Sequence, residues 1–160
     1  MIDQLPEWLQ IFLFSMIPGV ESKFVIPIAA IHEFGWEWWQ AFPIAIAGNM
    51  FLVPFGLLFF HKIEQYLKRF KLCKKAMDKV FPKIRIRANK KIQRYESIAL
   101  IFFVAVPLPL TGAGLGTFIA HIFDLKFSRS FIMILIGVII SSSITTFVFL
   151  TGRYLFLFYR

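Results

Sequence analysis

The sequence offers one cysteine, Cys73, in 160 residues, so neither an intramolecular disulfide nor a cysteine metal cage is available. No Cys–His pair has a plausible placement, no metal-ligand cluster appears, and the serines of the last apolar stretch have no evident base. An enzyme is therefore the least expected reading, and no metal or cofactor is expected. Acid is scarce too: nine Asp and Glu stand against 18 Lys and Arg. The first residues carry Asp3 and Glu7, no basic residue and no small-x-small cleavage pattern, which reads against a signal peptide.

Long polar stretches are also missing. The chain is 58% hydrophobic and 18% aromatic, with a mean hydropathy of +0.70. Several apolar runs approach or exceed the ~18 residues that mark a transmembrane helix, so the class is an all-α polytopic membrane protein. One membrane domain over residues 1–160 is expected.

Positive charge is concentrated. Between Lys62 and Arg94 the net charge is +11, leaving −2 for everything else. A basic run between apolar segments follows the positive-inside rule more simply than nucleic-acid binding, so residues 62–97 are expected on the cytoplasmic side. Ile63, Tyr66, Leu67, Phe70, Cys73, Met77, Val80 and Phe81 recur at helical spacing, predicting an amphipathic helix that ends before Pro82. Its basic face suits anionic lipid headgroups over residues 62–94.

The chain is organised around Ile17–Pro27, I-P-G-V-E-S-K-F-V-I-P. Apolar flanks of about ten residues each would rise roughly 15 Å as helices, half of a bilayer core. Glu21 and Lys23 then fall near the midplane, where an ionisable residue is a functional-site hypothesis by default. Pro18, Gly19 and Pro27 are the predicted breaking residues. A nearly unbroken span from Trp38 to Phe60 follows, with Asn49 its one strongly polar side chain. The Trp36, Trp38 and Trp39 cluster reads as an aromatic belt.

A second broken segment runs from Ile98 to Phe123, centred on Pro107–Gly116. Pro107, Pro109, Thr111, Gly112, Gly114 and Gly116 are expected to interrupt the helix there. The last span, Phe131 to about Leu150, carries Ser141, Ser142, Ser143, Thr145 and Thr146, a stripe suited to close helix packing or to a hydrophilic path. An offset of 89 residues aligns the halves without a gap: Phe14 with Phe103, Pro18 with Pro107, His32 with His121, Gly48 with Gly137. The expected plan is two repeats, 6–61 and 98–152, each a broken hairpin plus a transmembrane helix, joined by the basic connector 62–97. If each hairpin is re-entrant, a repeat crosses once and the second copy is inverted, a recurrent transporter plan. His32 and His121 are interfacial histidines or proton relays.

P-G-V-E-S-K-F-V-I-P resembles the P-x-x-E-x-[RK]-x-x-I-P signature of the small multi-drug export protein family, and P-L-P-L-T-G-A-G-L-G its second hairpin. The family looks distantly related to the DedA/VTT membrane proteins, whose second hairpin is similar to R-x-x-P-x-x-R. Here Ala105, Val106, Leu108 and Leu110 surround the prolines and no arginine is available. The resemblance implies re-entrant hairpins, a prokaryotic plasma-membrane setting and a transport role, with Glu21 and Lys23 as acid and base of the first hairpin.

Three functions follow. One is proton-coupled export of small amphipathic or cationic compounds, with Glu21, Lys23 and Asn49 at the substrate and proton site. A second is translocation of lipid or polyprenyl phosphate headgroups, with Lys23 and the backbone amides of Gly112, Gly114 and Gly116 as the grip. A third is a non-transporting membrane scaffold. A homo-oligomer, most simply a dimer, is expected because two hairpins and two spans offer little protein to enclose a polar midplane.

Overall fold

A computed structural model describes residues 5–67, 90–108 and 112–159. Pro109 and Thr111 lie outside the described residues, as does the predicted amphipathic helix beyond Leu67. Every regular element among the described residues is a helix, with no strand. Helix α1 spans Glu7–Met16 and α2 spans Glu21–Phe24, continuing directly as a π-helix, Val25–Glu33. Then come α3 (Trp38–Leu67), α4 (Lys90–Ala105), α5 (Ala113–Ile122) and α6 (Phe127–Phe158).

Among the described residues two helices are long and apolar enough to cross a bilayer, Trp38–Phe59 within α3 and Phe127–Phe158. The 22-residue stretch alone rises about 33 Å. Helix α3 runs on past the predicted end at Phe60 to Leu67, because H-K-I-E-Q-Y-L contains no proline or glycine to stop it. Large apolar side chains stay on the outside, among them Phe102, Phe147, Val148 and Phe156. That exposure suits a hydrocarbon solvent, where burying them gains nothing.

The first break is Ile17–Val20, where Gly19 takes φ +94°, a conformation open to glycine at little cost. After it the chain doubles back. Trp36 Nε1 donates to Glu7 Oε2 at 2.7 Å, so the two ends of this broken segment meet. A straight helix would hold residues 7 and 36 about 43 Å apart. Pro27 lies outside the break, inside the π-helix. Its missing N–H is tolerated in a segment whose bonding has slipped to five-residue steps, as in Phe34 N–H to the Ala29 carbonyl at 3.0 Å.

The second broken segment is shorter than Pro107–Gly116. The helix resumes at Ala113, so Gly114 and Gly116 are helical and only Gly112 stands at the break, as N-cap of α5. A glycine costs about 1 kcal/mol in a helix, which packing offsets at Gly116. A Cβ there would stand 2.8 Å from Val104 and 3.3 Å from Ile134.

Two apolar cores hold the elements. One joins Ile11, Val25, Ile26, Ala30, Ala41 and Ala45, with Phe149 and Leu150 packed on it. The other joins Met50, Val53, Leu100, Val104, Ala120, Ile134 and Val138. The start of α3 therefore packs beside the end of α6, and its middle beside the start of α6, so these two long helices run antiparallel. The 89-residue offset carries Met16, Glu33 and Trp38, at helix bounds, to Ala105, Ile122 and Phe127, also at helix bounds.

Candidate functional site

The two breaks meet at their tips, and the meeting point holds Glu21 and Lys23, 4% and 2% exposed. They are the only charged side chains buried among the described residues. Lys23 Nζ lies 3.3 Å from Glu21 Oε2 and donates to the Leu108 carbonyl at 2.6 Å. It also stands 5.7 Å from the centre of the Phe24 ring, within cation–π range. Lys23 thus satisfies a carbonyl that the second break has released from helical bonding.

Glu21 begins α2 with φ +50°, a left-handed conformation that costs a non-glycine residue of order 1–3 kcal/mol. Such strain persists only where surroundings enforce it, and here Gly112 supplies the space. A Cβ on Gly112 would overlap the Glu21 carboxylate. The acid of the first break therefore occupies the volume that a side chain at the second would fill. It also rests on the N-cap residue of α5, where the helix dipole favours negative charge.

Asn49 is buried and joins the site through hydroxyls. Its Nδ2 donates to Ser22 Oγ at 2.9 Å, and Ser22 Oγ lies 2.9 Å from Ser142 Oγ. This chain ties α3, α2 and α6 together beside the ion pair. Ser141, also buried, lines a tight niche with Glu21, Lys23 and Ser142, and its Oγ has no hydrogen-bond partner among the described residues. Farther along α6, Ser143 bonds back to the Ile139 carbonyl and Thr145 to those of Ser141 and Ser142. Thr146 Oγ1 is buried without a hydrogen-bond partner among the described residues.

The histidines are elsewhere. His32 is exposed, with Nδ1 3.2 Å from Glu33 Oε1, and His121 is half-buried in the last turn of α5. Neither lines the spaces around Glu21. Pro18 lines a cavity beside Glu21, whereas Pro107 is half-buried without lining it.

Sequence reasoning missed Ser22, Ser142, Thr117 and the Leu108 carbonyl. Ser22 sits between the acid and the base, a position that itself marks it. Ser142 carries no signal that separates it from its hydroxyl neighbours, and a carbonyl acceptor has none in any sequence.

Together these features define a helical membrane protein in which two interrupted segments bury one acid and one amine against each other. A sequence model of the family described as "Putative small multi-drug export protein" matches residues 21–144, and the chain belongs to that family. No curated protein and no solved structure gives a match.

Proposed function

We propose that this protein is a small secondary transporter that exports amphipathic or cationic compounds in exchange for protons. The observation that carries the reading is the Glu21–Lys23 pair, buried where two breaks meet and open on one side to a cavity. Burying two charges costs several kcal/mol each before pairing, so such a pair in a membrane protein points to a task. Glu21 holds a cation when ionised and a proton when empty, which is the minimum an antiporter needs. The family description points the same way.

The phosphate reading has less support. A lipid phosphate would need the α5 N-terminus and the Lys23 amine. The Glu21 carboxylate rests on the first, and Glu21 and the Leu108 carbonyl share the second.

In this reading both broken segments are re-entrant, the halves are inverted repeats, and residues 62–97 face the cytoplasm with both termini outside. The antiparallel α3 and α6 and the contact of Trp36 with Glu7 support it. Dimerisation covers the remaining polar midplane. Cysteine labelling at positions 3 and 159, with Cys73 replaced, tests the topology, and native mass spectrometry tests the dimer. Protection of both sites in intact cells, or a transporting monomer, would refute the respective point.

The decisive test is reconstitution in liposomes with an imposed pH gradient and a cationic dye inside. Wild-type protein should release the dye in proportion to the gradient. Glu21→Gln, which keeps size and hydrogen bonding but cannot exchange a proton, should lose both the coupled efflux and its pH dependence. Wild-type behaviour of Glu21→Gln at every pH would remove Glu21 from the mechanism.

A further inference from the structure

The cavity beside Glu21 has a volume of about 50 Å³ and is lined by Met16, Pro18, Glu21, Asn49, Leu52, Val53, Ala113, Gly114 and Thr117. We propose that it receives the protonated amine of a primary-amine substrate, an alkyl- or arylalkylammonium. The apolar tail of that substrate passes along Met16, Leu52 and Val53. This rests on the transport reading above and narrows its substrate class.

Three oxygen-bearing side chains from three elements converge there. Glu21, on α2, has a single partner among the described residues, Lys23, although a carboxylate offers about four acceptor positions. Asn49, on α3, spends its amide nitrogen on Ser22, which leaves its Oδ1 as an acceptor. Thr117, on α5 and 2% exposed, spends its proton on the Gly114 carbonyl at 2.6 Å and keeps its lone pairs. The site is thus rich in acceptors and poor in donors.

A primary ammonium brings three N–H donors and a positive charge, whereas a quaternary ammonium brings no donor. One water needs roughly 10–15 Å³ of such volume, so this cavity takes an ammonium and its first carbons. Lys23 does not line the cavity. It faces the niche of Ser141 and Ser142, so the carboxylate stands between the resident amine and the incoming one.

Gly114 gives a clean way to test this. It lines the cavity, and a Cβ on it would meet nothing within 4 Å. Alanine there improves the helix and adds a methyl at the exposed rim of the cavity. The experiment uses the full chain in proteoliposomes, with phenethylamine and its N,N,N-trimethyl analogue as probes.

Phenethylamine should be transported with an apparent affinity at least about tenfold above that of the trimethyl compound, as expected when buried acceptors lose their donors. Gly114→Ala should weaken phenethylamine transport by a similar factor without lowering the melting temperature. Thr117→Val, which keeps shape but removes the oxygen, provides a second variant with the same expected loss. Equal affinity for both probes, wild-type amine transport in both variants, or displacement of phenethylamine by Na⁺ at equal concentration would each overturn the proposal. In those cases cation transport itself survives. Absence of transport for every cation tested would remove the transport reading along with it.

Discussion

Replacing Gly112 with alanine probes the contact between the two breaks directly. Gly112 has φ −102° and ψ −149°, outside the left-handed region, so backbone strain is not the main objection. The objection is volume, because the new methyl falls on the Glu21 carboxylate. Either the carboxylate leaves or the start of α5 shifts. If the carboxylate leaves, Lys23, 2% exposed, keeps only the Leu108 carbonyl and the Phe24 ring among the described residues. Removing one partner of a buried ion pair costs about 3–5 kcal/mol. Displacing the carboxylate while leaving it nearby should cost somewhat less, about 2–4 kcal/mol. With Glu21 already replaced by alanine, the three atoms nearest the methyl of Gly112→Ala are gone, and the substitution should cost under about 1 kcal/mol. The assay is a double-mutant cycle over wild type, Gly112→Ala, Glu21→Ala and the double variant, unfolded in mixed SDS micelles and followed by far-UV circular dichroism. A coupling of about 1 kcal/mol or more is expected. An equal loss from Gly112→Ala in both backgrounds would refute the tip-to-tip contact.

Lys23→Met separates the two transport readings in the same liposome assay. For a cationic solute it removes a repelling charge and should lower the half-saturating concentration, whereas for a lipid phosphate transport should collapse at every pH. Gly48→Ala drives a methyl into the Phe12 carbonyl and should destabilise the fold by about 1–3 kcal/mol, measured by the same SDS unfolding. A Gly48→Ala variant as stable as wild type would mean that α1 and α3 pack less closely than described.

Much of the fold was legible because bilayer physics leaves few choices. Apolar length announces α3 and α6, and Pro18 with Gly19 announces the first break. The site was legible in part for the same reason, since Glu21 and Lys23 stand out against hydrocarbon. Break boundaries were harder. Proline and glycine speak for local propensity, but tertiary contact decided at Gly116, which is helical against Val104, and π-bonding decided at Pro27. Partners across the breaks were illegible, because a distance of 85 residues between Lys23 and the Leu108 carbonyl leaves no trace in local pattern.

The 89-residue offset has a consequence for ancestry. Gly48 meets the Phe12 carbonyl, and Gly137, its equivalent, meets the carbonyl of Ile101, the equivalent of Phe12. Matching contacts of this kind are what a duplicated half-length chain, paired with an oppositely oriented copy of itself, would leave behind. At the centre the match fails: positions 110 and 112, the equivalents of Glu21 and Lys23, are leucine and glycine. Two identical tips would have crowded two acids and two amines around one point. In the inverted-repeat reading proposed above, divergence of one copy would leave a single acid and a single amine, with the space beside Gly112 as the acid's berth. In that reading, fusion of the copies into one chain would allow the division of labour, since two identical subunits can only change their tips together.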